Sequence, residues 1–213
     1  MRSSRPIPGN PWPHDMVITI DDDLQQLLEL LWIREAWQLR PVGEELPPEL
    51  VDTPSLVDES TRSSAPIAQW QAAWPGIWEA SLRHAGTTRQ PEIFEKLRRS
   101  ENGSAERAGL LRELGGPSWR DGFGSEALAA GARQWIEALA RRRMDRFQRP
   151  PNERPERASL DALISAWRSG LTKIVEIPCR GSFTRVIGAH ALLVTAETRA
   201  NAERYSEALA RFR

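Results

Sequence analysis

What most constrains this 213-residue chain is a segregation of charge that its neutral total conceals. Residues 17–60 carry eleven Asp/Glu against two Arg, a net −9, whereas residues 141–213 carry fifteen Arg/Lys against eight Asp/Glu, a net +7. Residues 1–16 and residues 61–140 are each +1. A chain so divided either brings its ends together in one molecule or offers each end to a partner of opposite sign. The first alternative bears on the fold, because it requires the acidic N-terminal part to lie against the basic C-terminal part.

Size and composition allow such a fold. With 40% apolar and 27% charged residues the chain is in the ordinary globular range and long enough to bury a core. Its apolar runs fall far short of the roughly 20 residues that cross a bilayer, so no membrane span is expected. Met1 to Pro13 contains two arginines but no apolar stretch of the secretory kind, and a cytoplasmic location is expected. A single cysteine, Cys179, excludes an internal disulfide and a zinc site built on paired thiolates. The basic residues are arginine except for Lys96 and Lys173, and nine tryptophans stand against one tyrosine. Arg suits planar and bidentate contacts, and Trp and Arg are the side chains enriched at binding hot spots.

Along the chain, Pro6, Pro8, Pro11 and Pro13 predict an extended tail over residues 1–16. Val17–Ile20 is a short β-branched run, and Asp21–Asp23 then offer an N-cap for a helix over 24–39 that Pro41 stops. The apolar residues of this helix fall on two sides, so it should touch two neighbours. Residues 41–64, with four prolines and six carboxylates, read as an extended acidic loop, for which mobility is the default expectation. Helix returns over 66–85, with Pro75 expected to kink or restart it, and Trp70, Trp74 and Trp78 share one face at spacing i, i+4, i+8. Shorter helices are expected over 92–99 and 105–114, the second capped by Ser104. A longer helix from Ser125 to Phe147 carries a stripe through Trp135 that continues into Arg142 and Arg146.

The last third reads most clearly. Arg149–Arg157 is a Pro/Arg-rich connector. Ser159 then caps a helix that Gly170 ends. Leu171–Ile177 and Phe183–Val194 are β-rich runs whose five-residue connection suits a hairpin. Thr195 caps a final helix with a stripe of Thr198, Ala202, Tyr205, Leu209 and Phe212. Because a two-stranded sheet is marginal alone, Val17–Ile20 is expected to add a third strand. The expected fold is α+β and mainly helical. It comprises the tail over 1–16, a helical part over 17–148 with the acidic loop 41–64, a linker over 149–158, and a C-terminal α-β-β-α unit over 159–213. That unit holds a small antiparallel sheet, and the N-terminal strand would fuse the whole into one domain.

No sequence motif carries a reaction. Cys179 lies between Pro178 and Arg180, and a neighbouring cation can activate a thiol, but His190 is placed about 23 Å away at ~3.3 Å per strand residue. Gly122–Ala127 matches G-x-G-x-x-A, yet a helix and a loop precede it where a dinucleotide fold needs a strand. Asp21–Asp23 could hold a cation, with capping the ordinary use. No catalytic residue, metal ligand or cofactor is assigned.

Two functional readings follow. The first is a non-catalytic protein-interaction or accessory module whose partner is another protein, with Trp70, Trp74, Trp78, Trp135, Arg142 and Arg146 as its surface. The second is a nucleic-acid accessory protein using Arg141, Arg142, Arg143, Arg146 and Arg149 along a phosphate backbone, with Trp135 as a stacking face. An enzyme of unannounced chemistry stands third.

Overall fold

In a computed structural model, which describes residues 11–87, 91–147, 150 and 153–212, the short N-terminal run and the C-terminal β-rich runs meet in one sheet. The strands are β1 (Thr19–Asp21), β2 (Lys173–Ile177), β3 (Thr184–Ile187) and β4 (Ala191–Thr195). Their spatial order is β1-β2-β4-β3. β1 lies parallel to β2 with Ile20 opposite Ile174, so the N-terminal strand joins the sheet as expected. The arrangement of the other strands differs from the expected hairpin. β2 and β4 are parallel, with Ile174 opposite Leu192. The antiparallel pair is β3 with β4, and the sheet is therefore mixed. The physical reason is Gly188, whose φ of +68° turns the chain back within the run read as one strand.

The interior strands are buried on both faces, which explains their nearly continuous apolar sequence. Val175, Ile177, Ala191 and Leu193 face one core cluster. Ile174, Leu192 and Val194 face the other. Against the first face pack α1 (Gln25–Ala36) and α3 (Ile67–Ala85), and against the second α9 (Leu160–Arg168) and α11 (Ala202–Ala210). The fold is thus α+β and mainly helical. Between α1 and α3 lies α2 (Glu59–Ser64), and after α3 come α4 (Pro91–Arg99), α5 (Ala105–Gly115), α6 (Arg120–Phe123) and α7 (Gly131–Phe147). Near the C-terminus, α8 (Pro155–Ala158) precedes α9, and α10 (Ala196–Ala200) precedes α11. No helix among the described residues is long and apolar enough to cross a membrane.

Several local readings hold and others need correction. Ser104 and Thr195 cap their helices, accepting from the backbone N–H of Arg107 and Thr198. α1 packs against both α3 and α7, matching its two-sided pattern. The aspartates do not cap it: Leu24 occupies the N-cap without a side-chain bond, because Asp21 and Asp23 are drawn to Lys173 and Arg143. α3 runs through Pro75 without a break. α7 begins at Gly131 after a 3-10 turn over Ser125–Ala127. Ser159 donates to the carbonyl of Ala202 instead of capping α9. The last helix is broken at Asn201, whose side chain caps α11.

The acidic loop is held in place. Asp58 caps α2, and Leu50 is fully buried in an antiparallel bridge to Cys179. Arg34 donates to the carbonyls of Pro47 and Pro48, both at 2.6 Å. The tail expected over 1–16 is described only from residue 11, where Trp12 and Met16 pack against the α9–α11 side. Residues 149, 151 and 152 of the expected connector lie outside the described residues, and its end, from Pro155, is helical.

Candidate functional site

The tryptophans expected at the surface are core residues. Trp70, Trp74, Trp78 and Trp135 are 2%, 0%, 0% and 9% exposed. Trp74 stacks on Trp78 with ring centres 5.3 Å apart, and Trp70 meets Trp37 edge-on at 4.8 Å. Two of their polar edges are used internally: Trp74 Nε1 donates to the Leu30 carbonyl at 3.0 Å and Trp135 Nε1 to the Asp52 carbonyl at 2.8 Å, while Trp78 Nε1 is buried with no partner among the described residues. A shared helical face is what the spacing supplies, and here that face looks inward, so the expected patch is not a surface.

The arginine run disperses as well. Successive helical residues point about 100° apart, so neighbours in sequence do not line one groove. Arg141 is exposed. Arg142 pairs with Asp52 at 2.7 Å, and Arg143 turns inward to Asp23 at 2.6 Å and Asp22 at 4.0 Å. The Arg146 side chain and Arg149 lie outside the described residues. Arg185 on β3 adds a bond to Glu45 at 2.9 Å and a bidentate pair with Glu79 on α3. The acidic and basic ends therefore meet within the molecule.

One of these contacts opens on a cleft. β1, β2 and β4 run parallel and end at Asp21, Ile177 and Thr195, so their carboxyl ends form one edge of the sheet, where α/β proteins commonly hold ligands. Glu176, on the α9–α11 face of β2, is 5% exposed and binds Arg199 of α10 at 2.7 Å. Arg199 also donates to Glu156 of α8 at 2.7 Å, and the hydroxyl of Tyr205, fully buried on α11, reaches the same carboxylate at 3.5 Å. Burial works against the charge on Arg199, but the two carboxylates outweigh it and hold its pKa above the ordinary value. For Tyr205, burial first and then the charge of Glu156 raise the pKa and keep the phenol neutral.

Arg143 approaches from α7 across Asp22, and Arg154 stands exposed nearby. Ile20, Pro155, Ala196 and Ala200 supply the apolar part of the wall. The space within the cleft is about 180 Å³. Arg143 is 7% exposed, and its Nη2 has no hydrogen-bond partner among the described residues. A buried polar group left so calls for an explanation.

The other candidates reduce to packing. Cys179 is buried, and burial pushes its thiol up to about 12. Gly124, at φ +76°, closes against the carboxylate of Glu126 in a helix-turn context without a preceding strand. A larger cavity of about 330 Å³ beside α1 contains Glu29 and Lys173. Glu29 accepts from Trp119 Nε1 at 2.6 Å and from Gln25 at 2.9 Å, while Lys173 donates to the carbonyls of Ala85 and Thr87. Among the described residues no group of three or more His, Cys, Asp or Glu could hold a metal ion.

Sequence reasoning missed Glu156, Glu176, Arg199 and Tyr205 as a cluster. The available signal was Glu176 itself, one charge inside Ile174–Ile177. A carboxylate in a strand buried on both faces requires a cation beside it. No family model, curated protein or solved structure matches the chain.

Proposed function

We propose that the protein is a small-anion-binding accessory module, with the cleft at the carboxyl ends of β1, β2 and β4 as its site. The observation that carries this reading is Arg143, a guanidinium more than nine-tenths buried at the wall of a cleft, with Nη2 unpartnered among the described residues. Leaving a buried donor of a charged group unpaired costs more than the ~1–3 kcal/mol of a neutral one. A bound anion would recover that cost. The guanidinium meets its aspartates through Nη1, which leaves Nη2 without a hydrogen bond of its own among the described residues. The accessory role expected from composition is retained, with its site moved from the tryptophans to the cleft. The nucleic-acid reading draws less support, since Arg142 and Arg143 are already committed to Asp52, Asp22 and Asp23.

The test is thermal unfolding of the full chain at low ionic strength with phosphate, sulfate and short carboxylates, each against chloride. A ligand at one hundred times its Kd adds about 2.7 kcal/mol, and Tm should rise by roughly 5–10 °C. Arg143→Met should abolish the rise and Arg142→Met should keep it. A panel that leaves the wild-type Tm unmoved would refute the reading.

A further inference from the structure

We infer that the ligand of this cleft is a small organic monoanion, a carboxylate with a short unbranched apolar body. The inference rests on the cleft being the binding site. It adds the chemical class of the ligand, which charge, wall and volume together select.

Charge is the first selector. The cleft holds three guanidiniums, Arg143, Arg154 and Arg199, and three carboxylates, Asp22, Glu156 and Glu176. Arg199 is already divided between Glu156 and Glu176, both buried, and contributes no net attraction to an incoming ligand. Arg143 faces two carboxylates, Asp22 and Asp23, which together outweigh its single charge. A dianionic phosphate would meet two buried carboxylates without excess positive charge to offset them. One negative charge, shared between the unpartnered Nη2 of Arg143 and the exposed Arg154, asks for less. A carboxylate accepts from guanidinium N–H groups in a planar, charge-assisted geometry.

The wall is the second selector. Ile20, Pro155, Ala196 and Ala200 offer no hydrogen-bonding side chains, so this part of the wall favours an apolar portion of a ligand. Volume is the third. About 180 Å³ is roughly the share of six liquid waters, and it lies below the ~300–1,000 Å³ of drug-sized sites. A nucleotide would overfill this space and stand largely outside it, whereas an acid of three to six carbons fits within it.

Calorimetric titration of the full chain at pH 7 separates this inference from the reading beneath it. The probes are acetate, propionate, butyrate, valerate and inorganic phosphate. Each methylene that enters the apolar wall should tighten binding about fourfold until the cleft is full, and phosphate should bind at least tenfold more weakly than the best acid. Ala200→Leu, at an exposed position on the cleft wall, narrows the cleft and should weaken valerate at least tenfold while changing acetate less than twofold. Phosphate binding that exceeds every carboxylate would overturn the monoanion and leave the cleft as an anion site. Carboxylate binding without a chain-length trend, or unaffected by Ala200→Leu, would overturn the apolar-bodied ligand. No heat from any probe, together with no thermal shift, would overturn both.

Discussion

Arg180 stands next to Cys179 in sequence, but its guanidinium reaches back to the carbonyl of Leu50 at 2.9 Å, and the thiol is sealed against the acidic loop. Adjacency in the chain therefore gives no activation. Burial raises the thiol pKa first, and the opposing pull of Arg34 is smaller. With a folded pKa of about 12, the group remains protonated throughout the neutral range. We expect no labelling of native protein by a thiol-specific disulfide reagent at pH 8, and stoichiometric labelling once urea unfolds it. Rapid labelling without denaturant would show the site to be open. At this scale the sequence was informative where a residue acts on its own backbone, as Ser104 and Thr195 do. It was uninformative where a side chain's partner lies elsewhere: Asp21–Asp23 suit a cap by type, yet cations from β2 and α7 take all three.

Elements were recognised more reliably than their neighbours. Most helices lie near where periodicity and capping put them, because these signals are local. The hairpin was misplaced because a run of β-branched and apolar residues does not reveal that Gly188 will reverse it, nor that β4 will choose β2 as a parallel partner. Gly86 shows the same hidden dependence. It follows α3 with φ −75°, so no left-handed backbone requires a glycine there. What requires it is the carbonyl oxygen of Ile187 in β3, which would stand 2.6 Å from an added Cβ. We expect Gly86→Ala to cost about 1–3 kcal/mol in urea unfolding, since backbone on both sides resists the shift. Gly76→Ala, in the same helix with nothing within 4 Å of the new methyl, should stabilise by ~0.5–1 kcal/mol. Equal effects at the two positions would mean that α3 and β3 are not pressed together.

For the molecule as a whole, the segregated charges act as a clasp. Arg142 and Arg143 of α7 bind Asp52, Asp22 and Asp23, and Arg185 of β3 binds Glu45. The pair of Arg143 with Asp23 is the most informative, since the arginine is buried and Asp23 is largely exposed. Solvent on one side discounts the loss from the 3–5 kcal/mol of a fully buried pair. We expect Asp23→Ala to destabilise by ~1–2 kcal/mol, measured by urea unfolding, and 1 M salt to shrink the difference from wild type. A variant as stable as wild type at low salt would remove the clasp from the account.

The amino-acid order by itself determined that acidic and basic halves would be separated along the chain, that most of it would be helical, and that three indoles would share a face of one helix. These follow from interactions within a few residues, where type and spacing suffice. Only the tertiary structure decided which way that face looks, which strands pair, and that Arg143, Glu156, Glu176 and Arg199 converge on one cleft. Such contacts form between segments far apart in the chain, and their energies depend on burial that no local stretch encodes.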